Sequence, residues 1–232
     1  METETERKNG PALPRWKRVL DIACIAMALP AILPIMLVIV LAIRLCSRGP
    51  LLFKQERIGY YGRPFVCFKF RTMKVEAETR SHEAYLAKLM TSPTPMTKLD
   101  LEGDPRIIPI GLFLRSTGLD ELPQLINVLR GEMSLVGPRP CIRYEYERFK
   151  PEHRERFHAL PGISGLWQVS GKNTTTFQEM VDLDIAYVRN MSLRGDLQIL
   201  FRTIPVLFDQ TNQICQRKSN RPQTSPKTAG LL

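Results

Sequence analysis

The sequence lacks most of the patterns by which a soluble enzyme announces its chemistry. Its five cysteines, Cys24, Cys46, Cys67, Cys141 and Cys215, are odd in number, scattered and without a CxxC pair. That is a poor disulfide framework and a poor zinc site, and it points to the reducing cytosol. The three histidines, His82, His153 and His158, have no HExxH spacing, and neither GxGxxG nor GxSxG occurs. The run from Gly165 to Lys172 imitates a P-loop, but five residues separate its glycines, and Asn173 stands where Ser or Thr would hold Mg²⁺. ATPase, dehydrogenase and serine hydrolase readings lose their usual support. Acidic residues are short too: 23 Asp and Glu face 33 Lys and Arg, a formal charge of +10. The excess favours anionic partners such as nucleic acid, phospholipid or a phosphorylated substrate. With a single long apolar run the chain is not polytopic. At 44% hydrophobic residues it is not wholly disordered either, and its 232 residues suit one domain with at most an appendage.

That run, IACIAMALPAILPIMLVIVLAI from Ile22 to Ile43, carries no charge. As a helix it measures about 33 Å, enough for a bilayer core of about 30 Å. It starts too far in for a cleavable signal peptide, and Arg44–Arg48 contains no small-residue cleavage site. Pro30 cannot donate to the Ala26 carbonyl, nor Pro34 to that of Pro30. Basic residues flank both sides: Arg15, Lys17 and Arg18 before, Arg44, Arg48, Lys54 and Arg57 after. Both flanks therefore satisfy the positive-inside rule, and two arrangements stand open: one kinked span, or a helix that breaks at Pro30 and leaves by the face it entered.

The remainder predicts a mostly helical α+β fold. Residues 50–55 and 64–70 alternate as short strands around a Gly59–Gly62 turn. Helical spacing covers Glu76–Met90, Ile107–Leu114, Leu122–Leu129 with Gly131 as its stop, Glu145–His158, Phe177–Asn190 and Leu193–Phe208. The last could equally be a core helix or an amphipathic one in the membrane interface. Residues 165–169 fit a short strand or loop. The division expected is 1–14 disordered, 15–48 in the membrane, 49–210 the main domain and 211–232 a flexible basic tail.

Chemistry concentrates around Asp120 and Glu121. In the plain account Asp120 caps a helix, Glu121 answers its dipole and Gly131 ends it. Their company suggests more. Arg115 precedes the pair, Gly137–Pro140 presents Arg139 on a stiff turn, and Lys69 and Arg71 end a strand. Acidic pairs amid such cations suit a phosphate-handling site with a divalent metal.

Taken together, Lys69-Phe-Arg-Thr-Met73, Leu119-Asp-Glu-Leu-Pro-Gln124, Asn127-Val-Leu-Arg-Gly131, Met133-Ser-Leu-Val-Gly-Pro-Arg-Pro140 and Pro161-Gly-Ile-Ser-Gly-Leu-Trp-Gln168 resemble the bacterial sugar transferase family. These are the monotopic phosphoglycosyl transferases that begin exopolysaccharide, capsule and O-antigen synthesis, and the similarity runs from about Trp16 to about Phe208. The resemblance implies transfer of a sugar 1-phosphate from a UDP-sugar to polyprenyl phosphate with release of UMP. It makes Asp120 the covalent nucleophile and Mg²⁺ contact, with Glu121 as its metal or orienting partner. It places the catalytic domain (49–210) on the cytoplasmic face of the inner membrane, in contact with membrane lipid, and implies a re-entrant helix broken at Pro30. Some small members have Ser before that proline where this chain has Leu29. The chain resembles the minimal catalytic form, and its Trp167–Asn190 region leans toward galactose or glucose donors.

A carboxylate that attacks a diphosphate meets repulsion of about 4 kcal/mol per pair of unit charges 4 Å apart at an effective dielectric near 20. Mg²⁺, Lys69, Arg71, Arg115 and Arg139 are the expected counter-charges. Two other classes compete. A membrane-anchored nucleic-acid-binding regulator would use the basic excess, but the cations are spread out and no nucleic-acid motif occurs, so no nucleic acid partner is expected. A non-catalytic scaffold would use Asp120 and Glu121 only to start a helix.

Overall fold

An uncharged apolar stretch can satisfy its backbone away from water only within itself, and the chain does so as one long helix, α1 (Arg15–Cys46). The computed structural model describes residues 13–74, 106–171 and 174–219, with Ala87, Leu89, Met90, Ser92 and residues 94–96 between; side chains are described as far as Leu207. Most of the helix expected over 76–90, residues 1–12 of the expected 1–14 tail and Lys172 and Asn173 lie outside the described residues.

Helical residues continue through Pro30 and Pro34, both of which sit inside α1. Four residues apart, they fall on nearly the same side, so the bonds lost to Ala26 and Pro30 are confined there while the opposite ladder continues. Its buried residues, Lys17, Asp21, Ile25, Ile39 and Ile43, fall on one face at helical spacing. Ile25 joins Phe65, Cys67, Val128 and Met133, whereas Ile39 and Ile43 join Phe70, Ile108 and Leu114. Both ends therefore pack on the same domain. Between and around them Met27, Leu33, Leu37 and Leu41 are exposed, and the helix is long and apolar enough to cross a membrane.

Strands β1 (Leu52–Ile58) and β2 (Pro64–Phe70) form an antiparallel hairpin in register from Leu52↔Phe70 to Ile58↔Pro64. Helices α2 (Gly111–Thr117) and α3 (Gln124–Arg130) follow, joined through a 3₁₀ turn, Leu119–Glu121. Strand β3 (Ser134–Val136) pairs in parallel with β4 (Gly162–Ser164). Their glycine ends approach so closely that a Cβ on Gly137 would stand 2.1 Å from the Leu160 carbonyl oxygen. Helix α4 (Arg143–Arg148) and a 3₁₀ segment, Pro151–His158, replace the single charged helix expected over 145–158. Pro151 has no amide to continue the ladder, and Phe149 and Lys150 are extended before it. Residues 166–169 are a helical turn, α5, and the strand lies just before it.

Helix α6 (Phe177–Arg189) opens on a capping box: Thr176 accepts from the Glu179 amide, and Glu179 returns the bond to Thr176. Helix α7 (Leu193–Ser219) runs nine residues past 210, with Pro205 inside it. Leu193, Leu197, Phe201 and Ile204 stay exposed at spacings of four, four and three, an apolar stripe along one side.

Candidate active site

Gly118 ends α2 in the left-handed region (φ 72°), where a side chain is strained, and turns the chain back sharply. The next three residues form the 3₁₀ turn, so Asp120 is not the N-cap of α3, a place taken by Pro123. The negative φ of Pro123 suits the start of a helix and leaves the carboxylates just ahead of it. Leu119 and Leu122, on either side of the pair, pack with Ile39, Ile43 and Phe70. Hydrophobic burial thus seats the turn in the cluster that also takes in the second half of α1. Asp120 is 9% exposed, while Glu121 points at β2, where Lys69 Nζ donates to its Oε1 at 2.7 Å.

Of the expected cations, Lys69 is thus brought to the dyad. Arg115 lies on α2, one turn ahead of it, and donates to Thr72 Oγ1 at 3.3 Å. Arg71 is turned elsewhere: its Nη1 and Nη2 donate to the carbonyls of Arg48 and Ser47 at 2.7 and 3.0 Å, just past the end of α1. It is 5% exposed, and its Nε is buried without a partner. Arg139 belongs to a second cluster. Its Nη1 pairs with the fully buried Glu145 at 2.9 Å, its amide donates to Asp184 Oδ2, and its carbonyl accepts from Arg156. Asp184 and Arg156, both wholly buried, pair with each other and so hold the Arg139 backbone from two sides. Burial pushes Glu145 toward the neutral form, but Arg139 and Arg57 outweigh it and hold the carboxyl below its ordinary value. Burial raises Cys141 to about 12, so this thiol is inert.

Three polar groups that pattern reading misses fix this arrangement. Asn127, fully buried, accepts from the Phe68 amide and donates to the Val66 carbonyl and to Glu132, which pins α3 against β2. Its signal was an amide inside the apolar Leu125–Leu129 run. Lys17 Nζ donates to the Val136 carbonyl, the Tyr187 hydroxyl and Asp196 Oδ2 at 2.8, 2.8 and 2.6 Å. Asp21 Oδ1 accepts from the Ser134 hydroxyl and the Leu135 amide, both at 2.9 Å. A buried lysine cannot be told from a juxtamembrane anchor by sequence position. A surface depression of about 510 Å³, bordered by Lys150, His153, Gln178, Asp182 and Arg189, includes none of the expected site residues.

Among the described residues no three His, Cys, Asp or Glu side chains gather as a metal cage. Asp120 and Glu121 nonetheless offer adjacent hard oxygen donors. Mg²⁺ is commonly held by one or two carboxylates with water and substrate phosphate supplying the rest, so the donor set fits that mode.

Compared with known families, residues 13–210 match the one described as bacterial sugar transferase. A UDP-galactose-lipid carrier transferase of Erwinia amylovora is 43% identical over 196 residues, 83% of this chain and 40% of that protein. The exopolysaccharide production protein ExoY of Sinorhizobium fredii is 38% identical over 191 residues, 82% of this chain and 84% of the relative. A UDP-glucose:undecaprenyl-phosphate glucose-1-phosphate transferase of Caulobacter vibrioides is 38% identical over 221 residues, covering 90% and 77%. The chain therefore spans less than half of the first relative and most of the other two.

Proposed function

The chain belongs to the bacterial sugar transferase family, which it joins as a transferase enzyme, and from that premise we propose that it moves a hexose 1-phosphate from UDP-galactose or UDP-glucose to polyprenyl phosphate and releases UMP. In the first step an Asp120 carboxylate oxygen attacks the β-phosphorus. The bond from that phosphorus to the bridging oxygen breaks, and UMP leaves with the oxygen and its electron pair. A polyprenyl phosphate oxygen then attacks the aspartyl phosphosugar, the acyl phosphate bond breaks, and Asp120 is restored as carboxylate. Asp suits the role because it is ionised at neutral pH and forms a reactive acyl phosphate.

One observation carries the reading. The turn bearing Asp120 is seated by Leu119 and Leu122 in the same hydrophobic cluster as the second half of the apolar helix, with Glu121, paired to Lys69, beside Asp120 in the chain. A soluble nucleotide and a lipid-embedded phosphate can both reach such a place. Both ends of α1 pack on one domain and both flanks are basic, which supports re-entry, with the domain on the cytoplasmic face, over a crossing. The exposed stripe of α7 supports contact with the headgroup boundary. Lys69 would orient Glu121 and offer charge to the diphosphate, and Arg115, on α2, would add its charge. Asp120, with Glu121 as orienting partner, would hold Mg²⁺, which when bound would offset phosphate charge.

Membranes containing the chain, incubated with UDP-galactose or UDP-glucose, Mg²⁺ and undecaprenyl phosphate, are expected to release UMP. Release of UDP would indicate ordinary glycosyl transfer, and no nucleotide release would favour a scaffold or regulator. Asp120→Asn is expected to lower UMP release by at least about a thousandfold while the protein stays in the membrane fraction. Rapid quenching with β-labelled donor should trap label on the wild-type protein; lipid product accumulating without any captured label would remove the covalent step.

A further inference from the structure

Phe53 is an aromatic side chain that the reaction described above does not use. It stands on β1 and is 48% exposed, outside the hydrophobic clusters that hold the domain together. Single exposed apolar residues are common on protein surfaces, and only its surroundings give this one a role.

Two observations bring Phe53 to the dyad. The hairpin register sets it directly opposite Lys69, and opposed residues share a face with their Cβ atoms about 5 Å apart. Lys69 Nζ donates to Glu121 Oε1 at 2.7 Å, so the cross-strand partner of Phe53 is bound to the chain neighbour of Asp120. Leu51 extends the ladder by one pair, its carbonyl accepting from the Arg71 amide, and two residues before Phe53 it falls on the same side. It packs in the cluster that takes in Leu119 and Leu122, the residues on either side of Asp120 and Glu121. The turn bearing the dyad therefore meets both the strand neighbour and the cross-strand partner of Phe53, yet leaves the ring open. Farther along this face stand Gln55 and Arg57, opposite the buried Cys67 and Phe65. Phe53 is thus the exposed apolar side chain of a face that is otherwise polar or covered.

We propose that Phe53 is the platform on which the hexose of the donor rests while Asp120 attacks, a contact that selects for the sugar rather than for the nucleotide. The attacked β-phosphorus carries the hexose through a single oxygen, whereas the α-phosphate and the ribose separate it from uracil. A ring beside the dyad therefore meets the sugar before it meets the base. A hexopyranose presents C–H groups on its faces and hydroxyls around its rim. An aromatic face covers the C–H side, and the polar Lys69 and Glu121 at its edge suit the rim. The prenyl chain of the acceptor is the poorer occupant. Hydrocarbon gains most from continuous apolar surface, and the neighbours of Phe53 on this face are Lys69, Gln55 and Arg57. This inference rests on Asp120 as the point of transfer.

The test uses the purified full chain in nanodiscs, comparing wild type, Phe53→Ala, Phe53→Leu and Phe53→Trp. KM is measured for UDP-galactose or UDP-glucose at saturating undecaprenyl phosphate, and for undecaprenyl phosphate at saturating donor. Competitive inhibition by UDP, which lacks the sugar, is measured alongside. Phe53→Ala is expected to raise donor KM by about fivefold to tenfold, and Phe53→Leu, which keeps apolar bulk without a ring face, by about threefold. Phe53→Trp should stay within about twofold of wild type, as should acceptor KM and the UDP inhibition constant in every variant. Unchanged donor KM in folded Phe53→Ala overturns the inference. A UDP constant that weakens in step with donor KM would put the ring under the nucleotide, a rise confined to acceptor KM would put it under the lipid, and either overturns it too. A merely structural ring would lower the melting temperature and the active fraction without separating donor KM from the UDP constant, which also overturns it. Should Phe53→Ala fail to fold, Phe53→Leu carries the same comparison. Wild type that binds the UDP-hexose but releases no UMP would refute the transfer reading instead, leaving the affinities of wild type and Phe53→Ala for UDP-hexose and for UDP to judge the platform.

Discussion

Glu145 has no solvent-exposed surface, yet Arg139 and Arg57 keep it ionised below the ordinary glutamate value of 4.5. A carboxyl with a depressed folded pKa contributes stability that is fully present above its unfolded pKa and is lost as pH falls through the folded one. Glu145→Gln is therefore expected to melt well below wild type at pH 7, by several degrees or more. The gap should narrow below pH 4.5, where wild type loses the same charge; melting curves from pH 7 to 3 check this, and a gap independent of pH would contradict it. At this scale the sequence was a partial guide. The closeness of Lys69 to the Asp120–Glu121 pair was legible, because acidic and basic residues crowd one stretch and one strand end. Arg71 and Arg139 were legible only as cations. Which carbonyl or carboxylate each addresses depends on contacts across 23 residues for Arg71 and 45 for the Arg139 amide, a separation that local pattern does not carry.

Among the elements, α1 was the most legible, since an uncharged stretch of that length has few other uses. Its hold on the domain was not. Lys17 ties the start of α1 to β3, α6 and α7 through three buried bonds. Lys17→Met should destabilise the chain by about 3–5 kcal/mol, because it leaves Asp196 buried and unpaired. Thermal unfolding in detergent measures this, and adding Asp196→Leu should recover part of the loss; an unshifted melt would show that the bond network is dispensable. The hairpin and α6 were predictable from alternation, turn glycines and helical spacing. The split of the charged 145–158 segment turned on Pro151, whose missing amide outweighs helical charge spacing. Asp120 was misplaced as a cap because Gly118 inserts a separate turn that periodicity alone does not register.

On the scale of the whole molecule, the placement of both α1 ends against one domain carries a topological prediction. In a cysteine-free background, Arg15→Cys and Arg48→Cys should both react with an impermeant maleimide in inverted vesicles and neither in intact cells. Opposite accessibility of the two would mean that α1 crosses the bilayer. The joint between α1 and the domain is also reciprocal. Arg18 of α1 donates to the carbonyls of Val128 and Leu129 in the last turn of α3, while Arg71 of the domain serves those of Ser47 and Arg48 at the end of α1. Each partner donates to backbone carbonyls of the other, so the anchor is no exchangeable tether. A chimera that grafts a foreign tail onto residues 49–210 would strip α3 of Arg18 and Arg71 of its acceptors at once, leaving a headpiece that has lost part of its own frame along with its address.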